Sequence, residues 1–148
     1  MCRAGATPFD FARSYGPYAE RLRKSIRKFK LEGHRHLAHP LAALLQESLD
    51  ANEPETRPTW IVPVAAHPGR IRERGFDQIS CLSHALSRRL GVPVFSGLRR
   101  VKATRPQPGL NVQERLENVR ETFGLSGGEQ LAARDVLIVD AVWTTGTT

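Results

Sequence analysis

The chain is 148 residues long, and it holds little of several residue types: two cysteines, one methionine and only 7% aromatics. Two cysteines, Cys2 and Cys81, are too few for the disulfide framework of a small secreted protein or for a four-cysteine zinc site. No apolar run approaches the ~18 residues of a membrane helix, and the longest stretches, such as Val136 to Val139, have strand length. The opening residues Met1-Cys2-Arg3-Ala4-Gly5 lack the apolar core of a secretory signal. These absences lead us to expect no membrane association, a cytoplasmic location and one compact domain over residues 1–148, since 40% hydrophobic and 25% charged residues are ordinary for a globular fold.

What the chain does have is basic charge. Its net charge is +7, and the charge is arranged in blocks. Residues 1–40 carry 9 basic and 3 acidic groups, 41–60 carry 1 and 4, 61–120 carry 11 and 4, and 121–148 carry 1 and 4. Such blocks suit DNA, RNA or a small polyphosphate equally well, because one long-range Coulomb attraction serves all three. Charge alone does not choose among them.

The hydrophobic pattern divides the chain into an N-terminal helical part, 1–58, and a partial α/β core, 59–148. Tyr18, Leu22, Ile26 and Phe29 recur at helical spacing over 17–31, with Pro17 suited to the first turn and Gly33 as a stop. The opposite face carries Arg21, Arg23, Lys24, Arg27, Lys28 and Lys30. A leucine stripe, Leu37, Leu41, Leu44, Leu45 and Leu49, predicts a purely structural second helix over 37–49. His34, His36 and His39 lie between the two, and without further ligands nearby they read as solvent-facing or capping groups, so no metal site is expected.

Trp60 to Val64 reads as a buried strand, followed by a loop over 65–77 with Arg70, Arg72 and Arg74. A helix over 78–90 follows, with Ile79, Leu82, Leu86 and Leu90 on one face and Gly91 as its stop. Val92 to Phe95 suggests a short strand, 98–110 a mobile, proline-punctuated basic loop, and 112–119 a further helix. Asp135 to Asp140 is the clearest strand, and its four consecutive apolar residues predict burial on both faces, as in a parallel sheet. Alternating strands and helices imply an α/β fold with a parallel sheet. Ligands in such folds bind at the carboxyl ends of the strands, where the loops 65–77 and 141–148 fall.

The segment Asp140-Ala141-Val142-Trp143-Thr144-Thr145-Gly146-Thr147-Thr148 leaves that last strand. Its Thr/Gly turn offers backbone N–H groups and hydroxyls to a phosphate, and Asp140 could accept hydrogen bonds from sugar hydroxyls. Neither a P-loop nor a dinucleotide fingerprint is present. The pattern apolar-apolar-Val-Asp-x-Val-x-Thr-Thr-Gly-x-Thr resembles the phosphoribosyl pyrophosphate (PRPP) signature of type I phosphoribosyltransferases. The chain more specifically resembles the ComF family, associated with DNA uptake in competence. The likeness extends through Ala12-Arg13-Ser14 to Lys30, Val62-Pro63-Val64 to Arg74-Gly75-Phe76-Asp77-Gln78, and Arg105-Pro106-Gln107-Pro108-Gly109-Leu110 to Asn118-Val119-Arg120.

The resemblance implies a type I phosphoribosyltransferase-like core in which Thr144, Thr145, Gly146 and Thr147 cradle the ribose 5-phosphate and Asp140 holds ribose hydroxyls. Arg74 and Gly75 would contact pyrophosphate, with Mg2+ bridging its oxygens, and the basic loop from Arg99 to Arg105 would cover the site. It names no catalytic residue. Against the family pattern, Ala141 stands where a second acidic residue is usual, Asp77 where asparagine is usual in Arg-Gly-Phe-Asn-Gln, and Ala65 where Val-Pro-Val-Pro has its second proline. The family pattern also continues beyond Thr148 with a helix and a strand, and many members begin with a zinc module of which Cys2 looks like a remnant. The expectation is therefore a C-terminally incomplete core, apparently truncated at both ends, with the PRPP site outlined and enzymatic activity open. The alternatives are a non-enzymatic competence factor that contacts single-stranded DNA or a competence helicase, and an inactive fragment.

Overall fold

A computed structural model describes residues 9–51, 57–101 and 122–142. Helix α1 spans Glu20–Leu31 and buries Ile26 and Phe29, whose spacing of three fixes the inward stripe. It begins at Glu20 rather than Pro17: the amide of Ala19 bonds to the carbonyl of Pro17 in a tight turn, and Tyr18 stays exposed. A single 3-10 turn, Arg35–Leu37, leads into helix α2, Ala38–Asp50, which turns Ala38, Leu41 and Ala42 into the core.

Strand β1, Trp60–Pro63, pairs in parallel with the last strand of the described chain, β4, Val136–Val139, in the register Ile61 to Leu137 and Val62 to Ile138. The segment 92–95, expected as a strand, reduces to one parallel bridge between Val94 and Ile61. Two prolines account for this. Ile61 donates to the carbonyl of Pro93 and Phe95 donates to the carbonyl of Ile61, so continuing the ladder needs an N–H from Pro63 at one end and from Pro93 at the other. Neither residue has one.

Helix α4, Gln78–Leu90, packs on α2 and against β1 and buries Ile79, Leu82, Ala85 and Leu86. Its ends are chemically explicit. The Asp77 carboxylate accepts the Ser80 amide at 3.0 Å, and Gly91 closes the helix in the left-handed region at φ 69°. The core runs through Phe29, Leu41, Ile61, Phe76, Leu86 and Val139, and so ties α1, α2 and α4 to the sheet.

Three expectations are corrected. The loop 65–77 contains helix α3, Pro68–Arg74, with Pro68 at its start, the His67 ring accepting the Gly69 amide at 3.1 Å, and Gly75 as its left-handed stop. The stretch 98–110 is not simply a loop: Leu98–Arg100 forms strand β2, antiparallel to β3, Phe123–Leu125. Strand β4 is covered on one face only, since Val139 is buried while Ile138 is 63% exposed. The helix expected over 112–119 lies outside the described residues. Among the described residues the chain is mixed helix and strand around a small parallel sheet, compatible with an α/β fold. No helix among them is long and apolar enough to cross a membrane.

Candidate anion site at the carboxyl end of the sheet

Parallel strands β1 and β4 end side by side at Pro63 and Val139, so whatever follows each strand faces the same space. After β4 comes Asp140, and after β1 comes α3. Arg70 and Arg74, one helical turn apart on α3, carry two guanidinium groups to this edge. Lys30 arrives from the last turn of α1, and Arg100 from β2. Gln78, 3% exposed at the start of α4, locks part of the group together. Its side-chain oxygen accepts from Arg74 Nη1 at 3.3 Å, and its side-chain nitrogen donates to the Lys30 carbonyl, also at 3.3 Å.

The electrostatics follow from this convergence. Burial pulls the Lys30 ammonium below the usual lysine range; Arg74 and Arg70 act in the same direction, and Asp140 opposes them. Arg74 is lowered by burial and then by Arg70, with Glu73 opposing. Arg100 is lowered by burial and by Arg70, against Asp140, while its guanidinium lies 5.4 Å from the Phe123 ring centroid. Burial raises the Asp140 carboxyl above the ordinary aspartate range, although the Ala141 amide donates to its Oδ1 at 2.7 Å and Lys30 and Arg100 favour the ionised form. Asp140 is exposed by accessible area, so the crowding is that of a charged surface rather than of a closed interior.

Of the residues expected at the site, Asp140 and Arg74 join this cation network and Gly75 closes α3 next to Arg74, whereas Thr144, Thr145, Gly146 and Thr147 lie outside the described residues. Of the expected cover, Arg99 and Arg100 are in β2, and 102–105 lie outside the described residues. Lys30, Arg70 and Gln78 were missed as site residues. The spacing of four between Arg70 and Arg74, flanked by Pro68 and Gly75, was the available signal for two cations on one helical face. The substitution at Asp77 has a local explanation: the side chain is the N-cap of α4, a role aspartate and asparagine fill equally well.

No family model matches the chain, and no solved structure matches it. Among curated proteins, "Competence protein F" of Haemophilus influenzae is 35% identical over 138 residues, which is 90% of this chain. The chain spans 60% of the length of that relative. With the likeness running through nine-tenths of its residues, the chain is ComF-like.

Proposed function

We propose that this ComF-like protein binds PRPP at the carboxyl end of its parallel sheet, on a phosphoribosyltransferase-type fold, and that it serves in competence, the process for which its Haemophilus influenzae relative is named. The observation that carries the reading is a network of four cations, in which Lys30 and Arg100 face Asp140, Arg74 faces Lys30, and Arg70 faces Lys30, Arg74 and Arg100. That surplus of positive charge matches a diphosphate, and guanidinium groups suit phosphate oxygens through paired N–H donors. Asp140 is placed to accept ribose hydroxyls, with 144–147 as the 5-phosphate cradle by family resemblance.

The donor set also fits Mg2+, which takes one or two carboxylates and fills its remaining positions with water and phosphate oxygens. Asp140 would hold it, and the ion would neutralise charge on the diphosphate. In a transfer reaction an acceptor nucleophile attacks the anomeric carbon as pyrophosphate leaves. Lys30, Arg70 and Arg74 would hold the leaving group in place and stabilise its developing charge. A thermal melt with Mg2+ and PRPP tests the reading. At a hundredfold excess over Kd, binding to the native state adds about 2.7 kcal/mol, or roughly 5–11 °C at this chain length. A cooperative melt that PRPP leaves unmoved overturns it.

A second reading rests on a different surface. A groove of 280 Å³ along α1 is lined by Arg23, Lys24, Arg27 and Lys28, with Glu20 and Glu32 also in its wall. Phe11, Tyr15 and Tyr18, each at least 41% exposed, precede that helix. Cations near exposed aromatic rings, of which Phe11 already carries the Arg13 guanidinium at 5.3 Å, suit single-stranded nucleic acid, where charge tracks phosphates and rings stack on bases. Binding of an oligo-dT strand should weaken as salt rises, and Arg27→Gln with Lys28→Gln should reduce the log–log slope by roughly 1.4. An unchanged slope removes α1 from that role.

A further inference from the structure

We infer that Arg35 is a positioning residue for the anion site: its guanidinium ties the 3-10 turn ahead of α2 to the turn after α3, and so sets where Arg74 presents its charge. The inference rests on the phosphate-binding reading above.

Helix α3 has only seven residues, fewer than an isolated helix needs to be stable in water, so its direction must be imposed from outside. It ends at Gly75, at φ 75°, a conformation that gives the chain little stiffness of its own. Arg35 grips the chain here at two successive residues. Its Nη2 donates to the Gly75 carbonyl at 2.5 Å, and its Cζ lies 4.8 Å from the Phe76 ring centroid. Phe76 is itself buried, edge-on to Phe29 of α1 at 5.9 Å.

A hydrogen bond fixes the carbonyl's direction and a stacked ring fixes the next residue's position, so the peptide between them is held at both ends. Arg74 immediately precedes this clamp, and through Gln78 it is linked to the Lys30 carbonyl. Arg35 itself is exposed, and its guanidinium is committed to the Gly75 carbonyl and the Phe76 ring. It therefore acts through Arg74 and does not belong to the ligand shell.

The test compares Arg35→Met and Arg35→Lys with the parent chain in three measurements: Kd for inorganic pyrophosphate with Mg2+, hydrogen exchange at the Gly75 amide, and melting temperature. The Gly75 amide is a direct reporter, because it donates to the Ile71 carbonyl at 2.8 Å. Arg35→Met should raise Kd about tenfold, equivalent to ~1.4 kcal/mol. It should also speed exchange at Gly75 and leave the melting temperature nearly unchanged. Arg35→Lys should rescue only in part, because an ammonium lacks the planar fork that bonds and stacks at once. In an Arg74→Gln background, Arg35→Met should weaken binding little further. Parent-like affinity in Arg35→Met, full rescue by lysine, additive losses in the double variant, or unchanged Gly75 exchange each overturn the inference. A parent chain that does not bind pyrophosphate overturns the phosphate-binding reading, and the role assigned to Arg35 falls with it. The other outcomes, with the parent binding, overturn the role of Arg35 alone.

Discussion

Replacing Lys30 by methionine should move stability and ligand affinity in opposite directions. Lys30 is half-buried, and its ammonium is disfavoured first by that burial, then by Arg74 and Arg70, with Asp140 compensating only in part. Methionine keeps the stem's apolar contacts and removes the charge. Relief of such unfavourable surface charge commonly contributes about 0.5–2 kcal/mol, which at ~2–4 °C per kcal/mol raises the ligand-free melting temperature by roughly 1–8 °C. The gain depends on pH with a defined sign. Lys30 has a folded pKa below its unfolded one, so the unfolded chain binds more protons between the two and the parent's stability rises with pH. The advantage of Lys30→Met must then shrink as pH climbs through the folded pKa and the parent sheds the same charge. Pyrophosphate affinity should fall roughly ten- to hundredfold, the loss of one charge-assisted hydrogen bond worth ~1.5–3 kcal/mol. Melting curves from pH 7 to 11, with calorimetric titration at pH 7, measure both effects. A Lys30→Met chain that melts lower than the parent without ligand, or binds pyrophosphate equally well, refutes the assignment of Lys30 to an anion site.

Asp140→Asn keeps the acceptor for the Ala141 amide and removes a carboxylate whose folded pKa is raised, so the charged form is a net cost to the fold above that pKa. Ligand-free stability at pH 7 should not fall, the parent's gain on acidification through the raised pKa should disappear, and the Mg2+ dependence of PRPP binding should weaken; melts from pH 3 to 7 and titrations with and without Mg2+ check this. Leu86→Ala empties a side-chain position that is 1% exposed in the core and should cost ~2–5 kcal/mol in urea unfolding. Gly97→Ala would drive a Cβ into the Ser126 carbonyl and the Phe95 ring. It should destabilise by roughly 1–3 kcal/mol. Exchange at the Val101 amide, which bonds to Thr122, should quicken because the β2–β3 pairing starts beside Gly97.

The elements legible in the sequence are those whose signals repeat. Helix α4 shows an N-cap aspartate, an apolar stripe at Ile79, Leu82 and Leu86 and a closing glycine, and it forms over Gln78–Leu90 as read. Helix α3 was hidden because seven residues cannot display a period, and Pro68-Gly69 reads as a turn unless the His67 cap is seen. Strands β2 and β3 have three residues each and are far apart in sequence, so their pairing depends on a long-range approach that local patterns do not encode. The site divides the same way. Asp140 and Arg74 stand at motif positions and Arg100 in the expected basic cover, whereas Lys30 and Arg70 become site residues only when α1 and α3 converge with them.

The directions of the shifts at Lys30 and Asp140 fit the proposed binding site better than a structural ion pair. A pair assembled to hold the fold together lowers its carboxylate and raises its ammonium, because each charge favours the other by more than burial costs. Here the opposite holds at both partners: Asp140 is raised and Lys30 is lowered, with burial the largest cause in each. Their mutual attraction is present and too weak to offset the desolvation, and Arg70 and Arg74 add repulsion on the cationic side. Charges kept where the folded chain alone disfavours them fit groups whose compensation comes from a third partner. In the proposed site, with cations in surplus, that partner would carry negative charge, and its binding should stabilise α3, which Arg35, Gln78 and the His67 cap tie down in the ligand-free chain.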